Sequence, residues 1–184
     1  MRRLIYVPVM HSDIEMGSAA AWYREAFITR HGEAKWAERD RQYARIWDEV
    51  AQAIDGLNLD FRRVRLYQDS LPVCGHEALI VRDLAAQGSR NHQLLEALMA
   101  RGAEVMGTES ADLLIEEYRL MQNGGGGGPQ GESLLERRDR FIAQRIDGTL
   151  GADETALLFI GALHRVDTYL PPDIRVTLVR IRQE

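Results

Sequence analysis

Four polar, titratable residues stand where runs of apolar residues stop. His11 follows residues 4–10, Asp69 follows 63–67, Glu109 follows 103–108, and His164 closes the run that begins at Thr155. If those runs are strands of one parallel sheet, their ends gather along one edge, where open α/β sheets place their ligand sites. Two histidines with carboxylates at such an edge are a ligand set for zinc, manganese or iron. Without a metal, the same groups form a general base in which a carboxylate orients a histidine that activates water. Glu15, four residues after His11, joins the set if that turn is helical.

On this reading His11, Glu15 and His164 are the candidate metal ligands, and His164, Glu109 and Arg138 the candidate catalytic residues. Arg138 would hold a negative charge or steady an oxyanion. Asp69 and Arg165 are the candidate substrate-binding residues. Each has a plainer alternative. A histidine after a strand is often a hydrogen-bonding loop residue. Glu109 can serve the N-terminus of the following helix, and Asp69 can shape a turn. Arg137, Arg138 and Arg140 together read as a solvated helix face. Cys74-Gly75-His76 pairs a thiol with a histidine, but no strand-to-helix elbow surrounds it. His31 and His92 read as surface residues.

The elements that would position these residues follow from periodicity. Residues 155–163 hold seven apolar residues without period-2 alternation, the pattern of a strand buried on both faces. Gly161 lets the backbone turn or approach a neighbour there. Residues 4–10 are a first strand, with Pro8 awkward in a sheet interior because it cannot donate to the ladder. Trp36, Tyr43, Trp47, Val50 and Ile54 form one apolar stripe of a helix and belong to a core. Residues 75–101 form a helical region broken at Gly88-Ser89, with Ser89 an N-cap for its second half. Residues 112–122 form a helix capped by Ser110, with Leu114, Tyr118 and Met121 on one face. Ser133-Leu-Leu-Glu136 is a capping box that starts a helix to residue 148, and residues 174–181 alternate in part, as a last strand near an edge does. The repeated strand–helix order predicts one α/β domain, a three-layer sandwich on a largely parallel sheet. Residues 123–131, with five consecutive glycines, are a flexible loop within it.

Composition narrows the function classes. The chain has 184 residues and a net charge of −5, so no global basic field attracts nucleic acid. Lys35 is the lone lysine among 23 basic residues, which points to GC-rich coding more than to anion binding. The single cysteine excludes an intrachain disulfide. No apolar run is long enough to span a membrane, and the N-terminal pattern reads as a strand, so a cytoplasmic protein is expected.

The run Arg138-Asp-Arg-Phe-Ile-Ala-Gln-Arg-Ile146, followed by Leu157-Leu-Phe-Ile-Gly-Ala-Leu-His164, resembles a paired signature. It is that of the erythromycin esterase, TraB, GumN and ChaN-like superfamily, which includes the Tiki proteins. There an Arg/Asn-rich helix precedes a hydrophobic strand closing in Gly-x-x-His. The resemblance would match His11 and Glu15 to the family's N-terminal histidine element and Glu109 to an acidic residue at an internal strand end. Pro8 stands where that N-terminal element carries glycine. The resemblance implies hydrolysis at a histidine-and-glutamate site, metal-dependent in the Tiki branch and metal-free in the esterase branch. Some branches bind haem or act in signalling instead.

The leading expectation is therefore a small metal- or histidine-dependent hydrolase acting on a small molecule, with manganese, zinc or iron as the open cofactor choice. The alternative is a non-catalytic ligand-binding or regulatory protein on the same scaffold. A third is an interaction module whose Trp22, Trp36 and Trp47 helices pair with another chain. A homo-oligomer is compatible with all three.

Overall fold

Successive side chains of a strand point to opposite faces of its sheet, and here both faces are covered. In β1 (Arg2–Pro8), Ile5 and Val7 enter one core while Leu4 enters the other. In β4 (Thr155–Ile160), Leu157 and Phe159 go one way and Ala156, Leu158 and Ile160 the other. That double burial is why the run carries no polar alternation. The structure, a computed structural model, describes residues 1–9, 20–123 and 128–180, with side chains of the first helix described from Tyr23. His11, Glu15 and Ser18 lie outside the described residues, and so do the side chain of Trp22 and most of the glycine run.

With β2 (Val64–Gln68), β3 (Glu104–Met106) and β5 (Ile174–Leu178), the sheet has the order β3-β2-β4-β1-β5 and every pair is parallel. The most apolar run of the sequence is thus the central strand. Helices α1 (Ala20–His31), α2 (Glu33–Asp55), α3 (Glu77–Ala86) and α4 (Arg90–Ala100) precede β3. Then come α5 (Ala111–Gln122) and α6 (Pro129–Thr149). Trp47, Val50 and Ile54 of α2 and Leu95 and Leu98 of α4 fill one face. Ile142, Ala143 and Ile146 of α6 fill the other. This is the three-layer α/β sandwich expected. Among the described residues no helix is long and apolar enough to cross a membrane.

Local expectations hold in part. Ser89 does cap α4 and Ser110 does cap α5. Pro8 is neither a bulge nor on an edge strand: it ends β1, opposite Ile160 of β4. Its nitrogen faces the β5 side, where pairing has already stopped at Tyr6 and Leu178, so no ladder bond is lost. The Ser133 capping box is not used. Pro129 at the first turn, after Gly128, starts α6 earlier and leaves Ser133 inside the helix. The face of α5 carrying Tyr118 and Met121 is not packed, with those side chains 61% and 65% exposed.

One glycine is needed for a close approach. A Cβ on Gly107 would stand 2.6 Å from Val73 Cα and 2.6 Å from Glu77 Oε1. Just beyond it, the amides of Thr108 and Glu109 both donate to the Leu71 carbonyl at 2.9 Å, and Val73 donates to the Glu109 carbonyl at 2.9 Å. Gly107→Ala should therefore push two loops apart and cost about 1–3 kcal/mol, as overpacking does. Urea unfolding checks this, and an unchanged midpoint would show that the loops yield freely.

Candidate functional site

Three strand ends and one helix meet at the carboxyl edge of the sheet. Asp69 follows β2 directly, Glu109 follows β3, and His164 follows β4 through a short turn in which its amide donates to the Gly161 carbonyl at 3.2 Å. Arg138 and Asp139 enter from α6. On that helix they fall beside Leu134, Ile142 and Ala143, so two charged residues lie on the buried stripe.

Arg138 is the centre of the cluster, with 4% of its side chain exposed. Its Nη2 donates to Asp69 Oδ1 at 2.9 Å and to Glu109 Oε1 at 2.6 Å, and its Nε to Glu109 Oε2 at 3.3 Å. Its Nη1 donates to Glu117 of α5. The fourth oxygen of the inner pair, Asp69 Oδ2, accepts the Gly161 amide at 3.1 Å. Every oxygen of Asp69 and Glu109 thus has an N–H donor, as buried charges require. Ser70, whose hydroxyl donates to Asp69 Oδ1 at 3.2 Å, holds φ at 64°. A left-handed serine costs about 1 kcal/mol or more, and here it lets the chain turn directly after Asp69.

His164 is oriented from behind. Its Nδ1 lies 2.5 Å from Asp139 Oδ1, while Asp139 Oδ2 accepts the Arg165 amide at 2.7 Å. A carboxylate accepts only, so the hydrogen sits on Nδ1. Nε2 faces Asp69 Oδ2 across 3.6 Å, too far for a hydrogen bond. That nitrogen is the site's unengaged polar atom among the described residues.

Burial pushes the Glu109 carboxyl above its usual range, against the opposing pull of the Arg138 hydrogen bond and charge. Burial works against the Arg138 charge, yet the bond to Glu109 and the charges of Glu109 and Asp69 outweigh it and hold its pKa above the usual value.

Asp69, Glu109 and His164 each offer a ligand atom, all within 4.8 Å of one another. Asp139 stands where a metal-bound histidine needs its supporting carboxylate. The guanidinium does not fit that role. It bonds three of the four carboxylate oxygens, and its positive charge opposes a cation held by the same acids.

The structure therefore brings together Asp69, Glu109, Arg138 and His164 from the sequence-based candidates. Arg165 joins only through its backbone amide, its side chain being exposed. Sequence reasoning missed Asp139 and Glu117. Asp139 was legible as an acid on the apolar stripe of α6; Glu117 left no such trace. His92 is not a surface residue: it is 4% exposed, with Nδ1 2.8 Å from the Ser89 hydroxyl that caps α4. Cys74 is exposed.

No family model, curated protein or solved structure matches the chain.

The raised pKa of Glu109 sets a pH dependence. A folded-state carboxyl above its ordinary value of 4.5 binds its proton more tightly than the unfolded chain does. Its contribution is fully present below that value and is lost as pH rises through the folded pKa. Glu109→Gln, which cannot titrate, should gain stability relative to the native protein across that window. Urea unfolding over a pH series reads the difference, and parallel curves would refute the assignment.

Proposed function

We propose that the protein is a hydrolase of small-molecule esters or amides in which His164 is the general base and no resident metal is required. The observation that carries this reading is the Asp139–His164 pair, which leaves Nε2 unengaged beside the buried acids. Asp139 keeps the hydrogen on Nδ1, so Nε2 presents a lone pair to a water molecule. As that water attacks, Nε2 takes its proton and Asp139 steadies the imidazolium that forms. The imidazolium formed at Nε2 is placed to return its proton to the leaving group. Arg138 is occupied by its carboxylates, so its part is to hold Asp69 and Glu109 in place. The likeness of residues 138–164 to a superfamily in which hydrolysis uses a histidine and a glutamate supports the same reading. Cytoplasmic residence belongs to the proposal as well.

A metal-dependent hydrolase is the second reading, favoured by the three ligand atoms lying within 4.8 Å. In it Asp69, Glu109 and His164 would hold manganese, zinc or iron, which would polarise the substrate and acidify water. His11 and Glu15, the other ligand candidates, lie outside the described residues.

Across a panel of activated esters and amides, His164→Ala should abolish turnover while the protein still unfolds in one cooperative thermal transition, at a lowered midpoint. Asp139→Asn should lower kcat by about 10²–10⁴-fold. A His164→Ala variant with native turnover would sink the proposal. Elemental analysis separates the two readings: near-stoichiometric metal that disappears in His164→Ala would move the assignment to the metal-dependent enzyme. A ligand that stabilises the protein without turnover would instead support a binding protein.

A further inference from the structure

The partners of Arg138 are not equally fixed. Asp69 and Glu109 have side chains 5% and 0% exposed and belong to strand ends tied into the sheet. Glu117 is 34% exposed and belongs to α5. That helix buries no residue of its own. Ile115, Tyr118 and Met121 are 47%, 61% and 65% exposed, so α5 gains little from apolar packing. Among the described residues its side-chain hydrogen bonds to α6 are ionic. Glu116 takes both Nη groups of Arg137, at 2.7 and 2.9 Å, in the exposed pair, and Glu117 takes Nη1 of Arg138.

Of the three carboxylates on Arg138, Glu117 is the one within reach of solvent, where water competes for the bond. The same guanidinium edge, once its carboxylate leaves, is a preorganised carboxylate receptor beside Asp69 and Glu109. Its other donors are saturated, and its plane is held by Asp69 and Glu109. Nη1 would then offer a charge-assisted hydrogen bond to an oxygen of an incoming carboxylate.

We infer that Glu117 is an internal stand-in for a carboxylate of the substrate: α5 covers the site, and the substrate's carboxylate takes the place of Glu117 on Nη1 of Arg138. This rests on the hydrolase reading of the same cluster and adds to it a substrate class, an ester or amide that bears a free carboxylate. It also adds a resting state in which the chain occupies its own anion position. A substrate that binds must move α5, so exclusion of wrong substrates and opening of the site become one event.

The test measures binding without turnover, so it stands apart from whether His164 performs hydrolysis. Sodium acetate is titrated at constant ionic strength, with sodium chloride as the reference, into the native protein, Glu117→Gln, Glu117→Ala and Glu116→Gln. Binding is read from the backbone amide NMR shifts of Asp69, Glu109, Arg138 and Asp139. Removing the internal competitor should tighten acetate binding on the order of tenfold in both Glu117 variants. Glu116→Gln, which loosens α5 at the neighbouring pair but leaves Arg138 occupied, should bind acetate as the native protein does. Overturning outcomes are no tightening in either Glu117 variant, or an equal gain in Glu116→Gln. In the second case loosening of the helix, and not vacancy at Arg138, would be the cause. Should the Glu117 variants bind acetate tightly while His164→Ala retains full turnover, the anion position stands and the hydrolase assignment falls.

Discussion

The guanidinium of Arg138, removed from water and bonded to three carboxylates, sets the terms for the whole carboxyl edge of the sheet. A buried charge of this kind is tolerable only while its buried partners Asp69 and Glu109 stay in place; losing one of those two typically costs about 3–5 kcal/mol. The partners come from the end of β2, the loop after β3 and from α5, while the arginine itself comes from α6. One side chain thus fastens four pieces of chain that are distant in sequence. Replacing the cluster with apolar residues of similar volume would often be no less stable. Its presence is therefore better explained by the acids it holds at the strand ends than by what it contributes to folding.

Beside the cluster stands His164, held by the next residue of the same helix. Arg138 and Asp139 are adjacent on one helix, and each fixes a different part of the site. Arg138 binds the acids at the strand ends, and Asp139 binds the imidazole and the following amide. Gly161 completes the arrangement by giving its amide to the Asp69 oxygen that faces His164. The imidazole cannot turn without breaking a short bond to Asp139, and the acids cannot spread without abandoning the guanidinium. Such locking by neighbours is what a catalytic constellation requires of its surroundings.

Much of this was legible in the residues. An apolar run with no alternation, closed by histidine, can only be an interior strand with a polar residue at its rim, and β4 is the central strand. Asp69, Glu109 and His164 converge because parallel strands bring all their carboxyl ends to one side. Periodicity did not reveal which helix supplies the counter-charge, because arginines at 137, 138 and 140 look alike in sequence. Only Arg138 lies on the stripe shared with Leu134 and Ile142. His92 was misread for a related reason: a histidine in the first turn of a helix looks solvated until the serine that caps the helix is seen bonded to it. The box at Ser133 was outcompeted by Pro129, whose fixed φ suits a first turn.

The place of β4 in the sheet also has a consequence for how the molecule assembles. Its two neighbours are β1 and β2, so Arg3 lies opposite Thr155 and Val64 lies opposite the same residue. Until residues 155–160 are available, the two earlier strands have no common partner, and the gap between them exposes apolar side chains and unpaired backbone N–H and C=O groups. Contacts of such long sequence separation must be closed against chain entropy before they return any stability. The middle of the sheet is thus filled only after β1, β2 and β3 have all been made. A ribosome-bound chain would carry an open, adhesive seam through most of its synthesis, which makes this the stage at which a chaperone has the most to shield.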